Sequence, residues 1–145
     1  MCGTNGLKKL YDSEVEKKSK YYDVFDALLR NFCEAEAIAG LNADKVDIRG
    51  MGRMLLADDE LSEDFRPEMV PFLRDGTAHL RYLLGEQKHK ERIIKIYDKI
   101  VCGLTVRNIV QRLSVSQHTI QQCRMIAVNE LASQYELTHL YIGNR

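Results

Sequence analysis

The pattern of hydrophobic and polar positions predicts helices along most of the chain. Over residues 14–39, apolar residues recur at steps of three and four, from Tyr21 to Ile38. This spacing is typical of an amphipathic helix, not of the alternation of a strand. Ser13 is the predicted N-cap of this helix and Gly40 its predicted stop. We expect such a helix to pack in the core or along a dimer seam.

Residues 40–66 carry weaker signals. The alternation around Val46 and Ile48 allows a short strand or an extended loop, and a short helix is predicted over 51–57. The stretch 58–64 then has five carboxylates in seven residues. Such a run is typical of a solvated loop, and the alternative is a segment that mimics nucleic acid or binds a basic partner.

The next segment predicts a turn followed by a helix. Asp75-Gly76 is a turn signal, Thr77 is the predicted cap, and Gly85 is the predicted stop. One unbroken helix over 77–102 is the alternative.

A polar stretch at residues 85–89 predicts a join between two modules. We therefore expect an all-α fold with a helical amino-terminal module over 1–84 and a carboxy-terminal module over 85–145. The first would serve dimerisation or partner binding.

Three helical segments are predicted after residue 89. The first has a broad apolar face and ends at Gly103. The second, VRNIVQRL, follows Thr105 as its cap, and the third covers about 117–135 with Ser116 as its cap. The predicted buried stripe of the third helix consists of Ile120, Cys123, Ile126 or Ala127, Leu131 and Tyr135.

The stretch GLTVRNIVQRLSVSQHTIQQCRMIAVNEL resembles the helix-turn-helix shared by bacterial sigma factor region 4 and the LuxR/GerE regulators. The resemblance covers about 89–135, a third of the chain. The chain departs from it at Val110, where the families favour Ala, and at Ser114, where they favour Gly because the turn takes a positive φ. The matching pieces are the Gly-Leu-Thr lead-in, Ile109, Leu113, Val115, Ser116 and Ile120.

The resemblance implies a domain that binds double-stranded DNA, with the third helix in the major groove. Glutamine suits this role because it can donate to and accept from an adenine edge. The candidates for reading bases are Ser116, Gln117, His118, Gln121 and Gln122. The candidates for phosphate contacts, which set register and not sequence, are Lys99, Thr105, Arg107, Arg112 and Arg124.

Charge is unevenly distributed although the whole chain is formally neutral. Residues 1–66 have a net charge of −4 and residues 67–145 one of +4, while 88–135 alone carry +5. This split indicates different partners for the two halves. Because +5 supplies only modest attraction to phosphates, we expect a homodimer on paired half-sites. The helix of 14–39 and the apolar tail after Tyr135 are the predicted dimer surfaces.

Other classes of function lack their motifs. The four Cys form no CxxC, and no His lies at a metal-ligand spacing from them; Cys102 and Cys123 fall on predicted apolar helix faces. No catalytic triad pattern, Gly-rich phosphate loop or HExxH occurs. We therefore expect no enzyme activity, cofactor or metal.

No apolar run approaches the roughly 20 residues of a membrane span, and no signal-peptide pattern opens the chain. We expect a cytoplasmic protein with no membrane partner.

The leading hypothesis is a sequence-specific DNA-binding transcription regulator of a size familiar from phages and mobile elements. The alternative is a sigma-region-4-like adaptor that binds RNA polymerase or a sigma factor through its acidic half.

Overall fold

The computed structural model describes residues 18–41 and 48–143, and within them it contains only helices. The predicted all-α fold is confirmed. None of the described helices combines the length and apolar character needed to cross a membrane. In chain order the helices are α1 (Tyr22–Arg30), α2 (Phe32–Leu41), α3 (Ile48–Leu55), α4 (Asp59–Asp64), α5 (Met69–Arg74), α6 (Gly76–Leu83), α7 (Lys90–Val101), α8 (Val106–Leu113) and α9 (Gln117–Gly143).

The prediction of one helix over 14–39 is wrong, because the chain breaks at Asn31. The break gives the two halves different neighbours: α1 packs against α4, α5 and α9, whereas α2 packs against α3 and α5. Gly40 is not a stop, since α2 continues to Leu41, and Ser13 lies outside the described residues.

The acidic stretch 58–64 forms a helix, so the prediction of a solvated loop is wrong. Asp58 caps α4, because its Oδ1 accepts hydrogen bonds from the amides of Glu60 at 2.8 Å and Leu61 at 3.1 Å. One buried serine, Ser62, anchors α4 against α3, where a Cβ on Gly52 would lie 2.9 Å from its carbonyl oxygen. The carboxylates of α4 are left on the exposed side.

The residues just before the acidic stretch also form a helix. The helix predicted over 51–57 is present as Ile48–Leu55. A strand at residue 48 is wrong, because α3 begins there; Val46 lies outside the described residues.

The predicted join at 85–89 is a break between helices but not a break in the core. α6 ends at Leu83, Gly85 takes a φ of +56°, and α7 begins at Lys90, so one helix over 77–102 is wrong. Side chains from both sides of the join nevertheless belong to one hydrophobic cluster. The two predicted modules therefore share their core.

The third carboxy-terminal helix, α9, is the element around which the others pack. It contacts α1, α6, α7 and α8. It also runs to Gly143, so the segment after Tyr135 continues the helix and is not a separate tail. Its predicted buried stripe is confirmed, since all six side chains named for it are at most 6% exposed.

Polar and aromatic contacts attach α9 to the amino-terminal helices. The Tyr135 ring lies 5.1 to 5.7 Å from the rings of Tyr21, Phe25 and Phe72, and its hydroxyl is 3.0 Å from a carboxylate oxygen of Glu68. The amide of Ser19 donates to Asn129 Oδ1 at 3.1 Å. The orientation of α9 is thus set by both halves of the chain.

A close approach between α6 and α7 explains the glycine at position 76. The buried Tyr97 hydroxyl donates to the carbonyl oxygen of Leu73 at 2.6 Å, and a Cβ on Gly76 would lie 2.5 Å from the Tyr97 ring. Gly76 is thus required for space. Thr77 is not a cap, because α6 already begins at Gly76.

The described cysteines occupy different environments. Cys123 is fully buried on α9, as predicted, and burial raises the pKa of its thiol to about 12. Cys102 is exposed, so its predicted place on an apolar face is wrong; α7 ends one residue earlier, at Val101. Cys33 is also exposed.

Candidate nucleic-acid interface

The first helix of the candidate interface, α8, is capped by a local side chain. Thr105 has an extended backbone, and its hydroxyl accepts a hydrogen bond from the amide of Asn108 at 3.2 Å. This bond satisfies one of the amide groups that a helix leaves unpaired at its start. The predicted cap is confirmed. Ile109 is the one fully buried side chain of α8, so the helix presents its polar side outward.

A tight turn joins α8 to α9. Ser114 takes φ 54° and ψ 42°, the left-handed conformation, and its amide donates to the Val110 carbonyl at 3.0 Å. A left-handed residue commonly ends a helix and redirects the chain. The positive φ expected at this position is confirmed, although the residue is serine and not glycine.

Ser116 caps α9, as predicted. Its hydroxyl oxygen accepts from the Thr119 amide at 3.1 Å and lies 2.9 Å from the Thr119 hydroxyl. Thr119 is buried, so this pair fixes the first turn of α9. The Ser116 hydroxyl therefore already forms hydrogen bonds within the protein, which makes it a weaker candidate for a contact with a base.

The first two turns of α9 present a small polar surface. Gln117 and His118 are exposed and Gln121 is half-buried. Gln121 lies three residues after His118 and four after Gln117, so the three side chains share one side of the helix. Two helical turns with these side chains match the part of a recognition helix that reaches base edges.

Gln122 does not belong to this surface. Its exposed fraction is 4%, and its Oε1 has no hydrogen-bond partner within the described residues. It lies on the inner side of α9 with Ile120 and Cys123, which are also buried. Its expected place on the exposed face is wrong, because a step of one residue turns a helical side chain by about 100°.

The candidate phosphate contacts differ in their exposure and in whether they form an ion pair within the protein. Arg107, Arg112 and Thr105 are exposed, and Lys99 is half-buried. Arg124 instead forms an ion pair with Asp26 of α1, with Nη2 and Oδ1 2.8 Å apart and both side chains about one-fifth exposed. The expectation that Arg124 is free to bind phosphate is wrong, because the packing of α9 on α1 places the Asp26 carboxylate beside it.

Two further cations were not singled out from the pattern of residues. Arg92 and Lys95 are exposed on α7 and line a groove that reaches Val115 in the turn. Their spacing of three residues on a predicted helix would have placed them on one face, but not beside the turn, which depends on how α7 packs.

The described residues form no cluster of three or more His, Cys, Asp or Glu side chains arranged to hold a metal ion. No protein-family model, no curated protein and no solved structure matches this chain.

Proposed function

We propose that the chain is a sequence-specific DNA-binding transcription regulator that acts as a homodimer. The observation that carries the proposal is the junction of α8 and α9. Two locally capped helices meet at a left-handed serine, and the second presents Gln117, His118 and Gln121 at its start. This combination of a redirecting turn and an amide-rich first two turns is what major-groove reading requires.

The roles of the side chains follow from their chemistry and exposure. Gln117 and Gln121 each offer a donor and an acceptor, the pair that an adenine edge binds. His118 can bond either a base or a phosphate. Arg107 and Arg112 on α8 are exposed cations that suit the phosphate backbone, where α8 would cross it. Thr105 is exposed at the start of α8 and is a further candidate for a phosphate contact, whereas Gln122 is buried and Arg124 is paired with Asp26.

A dimer is proposed because a single interface is small. Few exposed cations flank α9, and each neutralised phosphate contributes only a limited share of affinity. Two copies on paired half-sites double both the phosphate contacts and the bases read.

The experiment is a selection of bound sequences from random double-stranded DNA, followed by affinity measurements on the selected site. We expect one enriched motif. Replacing Gln117 and Gln121 together by Ala should weaken binding to that site by about 10-fold or more, because each bidentate pair discriminates by about 1–3 kcal/mol. Binding to unrelated DNA should change little, since phosphate contacts supply it.

Gln134→Ala is the matched control, because it removes the same side chain from a later part of the same helix. Arg107→Ala should weaken binding to all sequences and lower the salt dependence by about one unit of slope. Selection without enrichment, or a Gln117/Gln121 double variant that binds like the parent, would contradict the proposal. Capture of RNA polymerase or a sigma factor in place of DNA would favour the adaptor.

A further inference from the structure

A groove of about 600 Å³ lies between α6, α7 and the end of α8. Its apolar part includes Leu113 and Val115, so it adjoins the turn that begins α9. Its cationic side chains are Arg81, Arg92, Lys95 and Lys99.

The charge of this groove is positive and largely uncompensated. It also contains two carboxylates, but Glu91 is occupied by Arg81, with N and O atoms 3.7 Å apart. Within the described residues, Arg92, Lys95 and Lys99 form no ion pair, and Asp98 is the one remaining acid of the lining. An apolar part flanked by free cations suits an acidic protein segment better than a phosphate backbone, which offers nothing to an apolar surface.

The chain itself carries such a segment. Asp59, Glu60, Glu63 and Asp64 of α4 are exposed, and none of them forms an ion pair with a described Lys or Arg. The nearby Arg66 guanidinium donates instead to the backbone carbonyls of residues 63 and 65, at 2.9 and 2.7 Å.

An apolar anchor accompanies this acidic helix. Met54 is 67% exposed at the end of α3, and α3 packs against α4. Methionine is a side chain that fills irregular apolar surface readily. Among its described side chains, the α3–α4 pair therefore carries four exposed carboxylates and one exposed apolar side chain against one exposed cation, Arg53, and its net charge is opposite to that of the groove.

We infer that the groove of one copy binds the α3–α4 pair of a second copy. The neutral total charge of the chain, with its negative and positive halves separated, favours such an arrangement because each copy offers both complementary surfaces. A two-fold arrangement fills both grooves and closes the assembly, whereas a head-to-tail one leaves an open chain. This inference names the surface of the homodimer in the proposed function, and it is measured without DNA, so the two can fail separately.

The experiment is sedimentation equilibrium of the full chain at about 50 mM and about 300 mM salt. We expect self-association at low salt, with a dissociation constant that rises at least about tenfold at high salt, because exposed charge pairs are screened. Arg92→Glu with Lys95→Glu should abolish association, as should Glu60→Lys with Asp64→Lys. An equimolar mixture of these two double variants should associate again, because each then complements the other at both contacts.

Lys18→Glu with Lys20→Glu is the matched control, since it makes the same change in net charge on exposed residues outside the groove. Recovery in the mixture also shows that both variants are folded. A parent chain that is monomeric at both salt concentrations would overturn the inference, as would a mixture that does not associate. A groove variant that keeps its mass but loses DNA affinity would overturn it too, by assigning the groove to the nucleic acid.

Discussion

Two short links between consecutive helices are built in opposite ways. The link from α5 to α6 is a single residue, Asp75, and it is held from outside by Tyr97, whose buried ring lies against Gly76. The link from α8 to α9 is three residues, 114–116, and it is held by its own hydrogen bonds. The first is a tertiary contact between elements distant in sequence, and the second is local.

The difference separates stability from the candidate function. Asp75 itself is exposed, but Gly76, which follows it, is buried against Tyr97 in the core, so a change at Gly76 disturbs several helices at once. The α8–α9 link is exposed at Ser114 and Ser116, and its bonds stay within a few residues. A surface of that kind can vary its outward side chains at little cost in stability, which suits residues that read a sequence.

The largest expected effect is at Gly76, the buried residue that follows the α5–α6 link. Gly76→Ala should lower the free energy of unfolding by about 3 kcal/mol, because the added Cβ would overlap Tyr97 and disturb its hydrogen bond to Leu73. Urea unfolding followed by circular dichroism measures this loss. Gly40→Ala is the matched control: nothing lies within 4 Å of its Cβ, so it should stabilise α2 by up to about 1 kcal/mol. Equal changes in the free energy of unfolding for the two variants would contradict the close contact between Gly76 and Tyr97 as the cause of the loss.

A smaller effect is expected from alkaline pH, which acts on the core and not on the exposed turn. Burial raises the pKa of Cys123 to about 12, above its unfolded value of about 8.5. The stability it contributes is fully present below the unfolded pKa and is lost as the pH rises toward the folded one. Burial also raises the pKa of Tyr97. The free energy of unfolding should fall by about 1–2 kcal/mol between pH 8.5 and pH 10.

Urea unfolding at a series of pH values tests this expectation. Cys123→Ala should make the dependence shallower just above pH 8.5, whereas Cys33→Ala should leave it unchanged, since Cys33 is exposed. An unchanged dependence in Cys123→Ala would contradict the assignment to the buried thiol.

The smallest effect is expected at the exposed turn. Ser116→Ala removes the cap of α9 and its bond to Thr119, and should cost about 1 kcal/mol. Amide hydrogen exchange should accelerate in the first turn of α9 and remain slow in its buried middle. Ser114→Gly provides a control of opposite sign: it relieves the left-handed serine and should stabilise the protein by up to about 1 kcal/mol. Destabilisation by Ser114→Gly would contradict the local account of the turn.

Features that depend on local contacts were predicted from the sequence, whereas features that depend on tertiary contacts were not. The caps Thr105 and Ser116 were predicted because a cap involves residues only a few positions apart, and the left-handed position at Ser114 was implied by the resemblance to the helix-turn-helix families. The helix break at Asn31 was not predicted, because the apolar spacing of three and four residues continues across it; the structure shows α1 packed on α9 and α2 packed on α3. Asp58 is a residue type that commonly caps helices, and it does cap α4, but the high charge of the stretch led to the prediction of a loop.

The candidate interface shows the same limit at the level of single side chains. The pattern of residues placed Gln117, Gln121 and Gln122 together, but it could not tell which of two neighbouring glutamines faces outward until the inner face of α9 was fixed by its neighbours. Arg124 was chosen for its charge, and only the packing of α9 on α1 brings Asp26 within 2.8 Å of it.

The sequence by itself determined the all-helical class, the bounds of α8 and the start of α9, and the buried stripe that orients α9. These depend on periodicity and capping, which act over one or two helical turns. Only the tertiary structure decided that both predicted modules share one core and that α9 extends to Gly143. It also brought Arg92 and Lys95 beside the turn. Contacts between residues far apart in the chain leave no local periodic signal, so packing alone reveals them.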